Sequence, residues 1–347
     1  MSLTPLIVIL YDSIHNSVFE SQVAQPLSQR TKNGERIILI SFERQKVCIN
    51  FLANIKEMYG FQEIYVISRL PYMGKLALYH SWFALKKTIL KFQNYTVQAR
   101  GPLAGWLALK LLSVNPTAEC VIQVRGLLAE ELAYDNPRVN SFFRLDKYRY
   151  KNYRALEKSV YTAYRIFFFH RLRYEVVGNA LGDYLQSEWL IPKEYITVAK
   201  HDVPEPITVG ERSYWRSSLR NKLNIGEDRI VYCYSGSVKA WQCPEETLSY
   251  FQERYIENSK SFLLILTTDI SSFELLISKF GIPKLAYRLL CVKPRELYRY
   301  LSVADKGLLF RKPHIINWTS RPTKALEYKS VGLPIVHNNT VAYLLES

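Results

Sequence analysis

Apolar positions in this chain fall into short unbroken runs, separated by stretches where they recur every three to four residues. Residues 6–11 (Leu-Ile-Val-Ile-Leu-Tyr) and 36–42 (Arg-Ile-Ile-Leu-Ile-Ser-Phe) have the continuous apolar character of parallel-sheet strands buried on both faces. The pattern predicts further strands at 63–67, 96–99 and 120–124, with helices at 18–30, 46–58, 76–92 and 102–113 between them. A strand at 175–177, expected to be the last of this unit, precedes a helix at 180–188. The rhythm resumes with a basic helix at 212–223, strands at 229–234, 262–266, 307–310 and 333–336, and a helix at 273–280. Strands alternating with helices predict an α/β protein of doubly wound parallel sheets, whose ligands sit beyond the carboxyl ends of the strands.

A length of 347 residues suits about two domains. The proline-rich run His201-Asp-Val-Pro-Glu-Pro206 reads as the joint between them. The expected division is a first domain at 1–200, a hinge at 201–212 and a second domain at 213–347. With 48% hydrophobic residues the chain can bury substantial cores. Its longest apolar runs fall far short of the ~18 residues that span a bilayer. The first dozen residues lack a positive start and a small-residue cleavage site, so a cytoplasmic protein is expected. Five cysteines, odd in number and without paired spacing, fit reduced thiols better than disulfides or zinc. The six histidines are dispersed, and neither a metal site nor a bound cofactor is expected.

Charge changes the picture. A net +15 points to an anionic partner: nucleic acid, an acidic membrane surface or an anionic substrate. Residues 144–175 hold nine Arg/Lys against Asp146, Glu157 and Glu175, interleaved with tyrosines and Phe167-Phe-Phe169. On a helical wheel Tyr153, Leu156, Val160, Tyr164 and Phe167 share one face, and Lys147, Lys151, Arg154, Lys158 and Arg165 the other. That is an amphipathic helix with a solvated basic side, or a surface for anionic lipid head groups, peripheral to a membrane's inner face. Aromatic residues among cations also suit single-stranded nucleic acid, but no RNA-binding signature accompanies them. Nothing in the sequence bears on oligomeric state.

The most specific chemistry lies at 319–336. Ser320 is placed to cap a helix whose first turn holds Pro322, and Gly332 with Pro334 would end it. A helix start of this kind aims unpaired N–H groups at one point, which suits a phosphate. Glu327, one turn in, can accept two hydrogen bonds from a vicinal diol. An ordinary helix–strand connection with a solvated Glu and Lys has the same local pattern. Pro322-Thr323-Lys324, Glu327-Tyr328 and Gly332-Leu-Pro-Ile-Val336 resemble the nucleotide-sugar signature of retaining GT-B glycosyltransferases of the family 4-like group. The resemblance implies the GT-B fold: two Rossmann-like domains facing a cleft, with the acceptor on the first and the donor on the second. It implies a nucleotide-diphosphate sugar as donor, a saccharide or lipid-linked acceptor, and a role in surface glycan or polysaccharide synthesis. It also implies further helices beyond residue 347, so the second domain would lack its last ones. No Asp-x-Asp pair occurs, which sets the chain apart from the metal-dependent architecture. The alternative is a GT-B-shaped binding or scaffold protein without transfer activity.

Under the same resemblance Glu327 holds the donor ribose, and Lys324, Pro322, Thr323 and Ser320 line the diphosphate. Many family members carry a glutamate eight residues before the ribose one, where this chain has Thr319. The strand ending in Ser235-Gly236-Ser237 permits close backbone approach to a phosphate. The family's Gly-Arg pair and following lysine are here Gly236, Ser237 and Gln242, so the cationic role moves to Lys239, Arg311 or Lys324. Lys293 begins the segment resembling the base-binding stretch. Arg100-Gly101 and Arg125-Gly126 each follow a strand. Arg125 would neutralise donor phosphate or orient the acceptor, or else pair with Glu130 or Glu131. Asp12, His15, Asn16 and Arg100 are the acceptor-binding candidates.

Overall fold

The computed structural model describes residues 4–16, 18–71, 75–135, 144–167, 170–200 and 203–346. Phe168, Phe169, His201, Asp202 and Ser347, which carry parts of the expected aromatic tip, hinge and terminus, lie outside them. The chain divides into two compact units, Met1–Asp202 and Val203–Ser347.

The first unit is a sheet of strands β1 (Leu6–Leu10), β2 (Ile37–Glu43), β3 (Glu63–Ser68), β4 (Thr96–Arg100), β5 (Glu119–Val124), β6 (Leu172–Val176) and β7 (Ile196–Val198). All pair in parallel, in the order β3-β2-β1-β4-β5-β6-β7. Its helices are α1 (Gln25–Lys32), α2 (Ile49–Tyr59), α3 (Lys75–Ile89), α4 (Gly101–Val114), α5 (Leu128–Asp135), α6 (Arg144–Tyr161) and α7 (Asn179–Trp189). Every residue of β1 and β2 is buried, which explains their unbroken apolar runs. Chain order reverses between β1 and β4, so the loops after these strands part to opposite faces and leave a crevice.

The second unit repeats the plan with β8 (Ile230–Ser235), β9 (Ser261–Leu266), β10 (Tyr287–Leu290), β11 (Lys306–Leu309) and β12 (Ile335–His337), parallel in the order β10-β9-β8-β11-β12. Its helices are α8 (Val209–Leu223), α9 (Pro244–Glu257), α10 (Ile270–Lys279), α11 (Leu297–Leu301), α12 (Ile315–Trp318) and α13 (Thr323–Ser330). Alternation along β8 sends Val231 and Cys233 into one core and Tyr232 and Tyr234 into the other. The order reverses between β8 and β11. Helix α8 is fastened by the fully buried Arg220, which pairs with Asp305 at 2.8 Å and also donates to the carbonyls of Val303, Gly226 and Arg229. Asp305 in turn accepts the N–H of Val231 at 2.7 Å. Ile207 donates to the carbonyl of Ser330, so the chain is already tied to this unit before α8 begins.

Three expectations need correction. Ser320 does not cap α13: its hydroxyl donates to the carbonyl of Asn317, and Pro322 occupies the cap position instead. The strand expected at 175–177 is β6, three residues earlier at its start, and β7 pairs outside it. Arg154 is not on a free basic face, because it reaches Tyr184 and Glu188 on α7 and lies 4.4 Å over the Trp189 ring. Helix α9 was not expected. In α9 a proline at the start, Glu245 and Glu246 in the first turn, and buried Thr247, Leu248 and Phe251 are its signals.

Tyr328 of α13 is fully buried, and its hydroxyl accepts the N–H of Ser235 at 3.0 Å. The ring fills the space beside Gly307 so closely that a Cβ there would lie 2.5 Å from it. Gly307→Ala is therefore expected to cost about 1–3 kcal/mol, the usual penalty for overpacking. Urea unfolding measures it, and an unchanged midpoint would show that α13 shifts freely.

Candidate functional site

In the second unit, the reversal point between β8 and β11 brings together residues from three segments. Strand β8 ends at Ser235, and Gly236 follows with φ at 149°, a conformation that favours glycine. A Cβ on Gly236 would lie 3.0 Å from Lys324 Nζ, 3.3 Å from Gln242 Oε1 and 3.4 Å from the Tyr234 hydroxyl. Glycine thus leaves open a recess walled by these three groups. Both Lys324 Nζ and Gln242 Oε1 are buried without a hydrogen-bond partner. Lys324 is 6% exposed, and its ammonium lies 4.2 Å over the Tyr234 ring.

Arg311, just past β11, is 4% exposed and donates to the carbonyls of Phe310 and Gln242. Its guanidinium lies 5.1 Å over the Trp241 ring. Burial, and then the neighbouring Arg311 cation, hold Lys324 well below the usual lysine range, while Glu327 opposes them. Glu327 is half-buried, and burial pushes its carboxyl up to about 7 against the pull of Lys324. Lys324 thus lies between the Arg311 cation and one carboxyl group that itself resists ionising. The recess is short of negative charge.

Other expected donor residues are less involved. Ser237 lends its carbonyl to the Tyr234 hydroxyl. Lys239 is exposed and precedes a short turn at Ala240–Gln242. Lys293 is exposed beyond β10. Thr319 is buried, and its hydroxyl donates to the carbonyl of Ile315 at 2.8 Å. Thr323 opens α13, whose first N–H groups have no acceptor within the helix. Gln242 and Tyr234 were not expected as walls of the recess. The resemblance marks position 242 as that of the family's lysine, but it does not foretell that a glutamine there would face Gly236.

The first unit also gathers charge at its reversal point. Asp12, after β1, meets Arg100 of β4 at 3.4 Å. Gln22 Oε1 accepts from both Arg100 and Arg125, drawing the two strand-end arginines together. Burial lifts the Asp12 carboxyl above its ordinary range, against Arg100, Arg69 and Arg125. Arg69, which the sequence reading passed over, follows β3 and donates to the Tyr11 carbonyl. The signal was available, since it stands just past a strand end as Arg125 does. His15 stacks on Phe51 at 5.0 Å, and Asn16 caps its own turn by accepting from Val18. Neither joins the Asp12 cluster by a direct contact among those above. Among the described residues no group of three His, Cys, Asp or Glu side chains is placed to hold a metal, and no helix is long and apolar enough to cross a membrane.

No protein-family model matches the chain, and no curated protein matches it by sequence. Solved structures do match. Sucrose-phosphate synthase from Thermosynechococcus elongatus superposes with a TM-score of 0.67 at 12% identity, over 99% of this chain and 83% of its own. WaaG, a glycosyltransferase involved in lipopolysaccharide biosynthesis, gives 0.61 at 12% identity, over 98% and 84%. UDP-GlcNAc 2-epimerase from Neisseria meningitidis, bound to UDP-GlcNAc, gives 0.53 at 9% identity, over 98% and 90%. The fold is GT-B. Its two Rossmann-like parallel-sheet units are those of known glycosyltransferases, and the likeness is one of architecture at these identities.

The Glu327 carboxyl binds its proton more tightly in the folded chain than at its ordinary 4.5. Its favourable contribution is complete below that value and is lost as pH rises through about 7. Glu327→Gln should therefore be more stable than the parent by about 1–2 kcal/mol at pH 8, and by nothing at pH 4.5, allowing for partial exposure. Denaturant titrations at the two pH values test this. An equal difference at both would contradict it.

Proposed function

We propose that this protein is a retaining, metal-independent glycosyltransferase. It moves a sugar from a nucleotide-diphosphate sugar to a saccharide or lipid-linked acceptor, in synthesis of a surface glycan or polysaccharide. The observation that carries the proposal is the buried Lys324 amino group, without a hydrogen-bond partner, beside the bare Gly236. An isolated buried cation costs several kcal/mol, which an anionic ligand offsets. The donor diphosphate lies against Gly236 and the start of α13, with Lys324 and Arg311 meeting its charge. Glu327 accepts hydrogen bonds from the ribose hydroxyls. The second unit is thus the donor unit, and the first takes the acceptor at Asp12, Arg100 and Arg125.

Breaking the bond between sugar and diphosphate leaves its electron pair on a phosphate oxygen. Lys324 and Arg311 stabilise that developing charge more in the transition state than in the bound donor. This role needs no metal ion. Retention of configuration rests on the resemblance of 322–336 to the retaining signature. WaaG, with the same fold, supports a glycan product. An anionic membrane surface is a further partner, met by the exposed Lys147, Lys151 and Lys158 of the 144–175 segment.

Two other readings have an observation behind them. The Thr319 hydroxyl is spent on Ile315, so the sugar-facing contact is altered, as a binding protein without transfer activity would tolerate. The fold also serves an epimerase that holds UDP-GlcNAc. A panel of nucleotide sugars, followed by melting temperature and mass spectrometry with and without acceptors, separates them. One donor class should raise the melting temperature and lose its sugar to an acceptor. Glu327→Ala and Lys324→Met should each abolish that shift, whereas Thr319→Ala should alter only donor choice or rate. A shift without turnover indicates a binding protein, and an isomerised donor without acceptor an epimerase. Neither shift nor turnover with any donor ends the nucleotide-sugar reading.

A further inference from the structure

Among the described residues, helix α3 carries an apolar face left largely exposed, with Tyr79 set edge-on against the Trp106 ring at 5.3 Å. Its inner side, with Ala77, Leu78, Trp82, Leu85 and Ile89, is buried against the unit. Its outer side shows Leu76 at 66%, Tyr79 at 44%, Phe83 at 68% and, in the turn that continues it, Leu90 at 73% exposure. Spacings of three, four and seven place these four side chains in one stripe along the helix. Single exposed apolar residues are ordinary, but a contiguous stripe marks an interaction surface. The stripe runs on to the end of α4, where Leu90 and the exposed Val114 share a shallow depression with Lys86.

Charge identifies the occupant. Residues 75–91 contain no Asp or Glu, and exposed Lys86 and Lys87 stand beside the stripe. Lys91 is partly engaged with Glu63 at 3.6 Å. An apolar stripe edged by lysines matches the boundary between anionic head groups and acyl chains. A second copy of the chain packed face to face through a twofold axis would set lysine against lysine. The basic side of α6 differs: among its described side chains the exposed large apolar one is Tyr148, so it meets a charged surface without entering it.

We propose that α3 is the element that seats this protein in an anionic bilayer surface. Leu76, Phe83 and Leu90 enter the head-group layer, and Lys86 and Lys87 meet lipid phosphates. This does not depend on the transferase reading. The test is co-sedimentation with vesicles of equal parts phosphatidylglycerol and phosphatidylcholine, against phosphatidylcholine alone, at low and high salt. The parent chain should sediment with the anionic vesicles only, and less at high salt. Phe83→Asp with Leu90→Asp should lower binding roughly tenfold per side chain, while far-ultraviolet circular dichroism stays unchanged because both sites are exposed. Lys86→Gln with Lys87→Gln should lower it about fivefold per cation. Ile256→Asp, at an apolar residue of α9 that is 77% exposed, should bind as the parent does. Four results overturn the proposal: no binding by the parent, equal binding to neutral vesicles, parental binding by the Phe83/Leu90 variant, or self-association that this variant abolishes.

Discussion

A lysine ammonium removed from water without an anion or hydrogen-bond acceptor is among the costliest arrangements a fold can hold. Lys324 Nζ is buried with no such acceptor, its hold on a proton is weakened accordingly, and the second unit is built so that it stays there. Tyr328, one turn further along α13, pins the helix across the ends of β8 and β11 through the Ser235 N–H and the bare Gly307. The same helix turn sets Glu327 close enough to feel the cation without neutralising it. Gly236 keeps the recess in front of Nζ empty. Arg311 adds a second buried cation, which makes the deficit of negative charge larger. Stability alone favours neither the buried, unpartnered Lys324 nor a second buried cation beside it. On the proposed reading they form a preorganised seat for an oxyanion, the arrangement that makes electrostatic catalysis effective.

The first unit applies the same topological rule with different chemistry. Its reversal point lies between β1 and β4, and there arginines from three strand ends converge near Asp12. Asp12 and Gln22 partly satisfy them, so the positive surplus is shared and not concentrated on one group. That suits a site that orients a neutral or weakly anionic acceptor better than one that stabilises a departing diphosphate.

Most of the architecture was legible in the chain because parallel strands buried on both faces leave unbroken apolar runs. β1, β2, β8 and β9 fall within a residue or two of where those runs predict them. Helix α9 was harder, since its polar first turn resembles a loop until tertiary contacts bury one side. At the site, Lys324, Glu327, Gly236 and Arg311 were identifiable by residue type and position. Position 242 was marked only as lacking the family's lysine, and the part that Gln242 and the Tyr234 hydroxyl play as walls of the recess appears only in the folded chain. The same limit applies to Ser320, whose hydroxyl has a choice of acceptors and takes the carbonyl of Asn317 over the helix start. Likewise Arg154 looks like a surface cation on a helical wheel, and packing of α7 turns it into an internal tie.

The central claim is that Lys324 waits for an anion, and proton linkage tests it most directly. Burial depresses its affinity for a proton, and a bound diphosphate restores it. Calorimetric titration with nucleoside diphosphates at pH 8, in two buffers of different ionisation enthalpy, counts the protons taken up on binding. The account predicts net uptake with the cognate diphosphate and its disappearance in Lys324→Met. Tight binding with no proton uptake, unchanged in that variant, would contradict it.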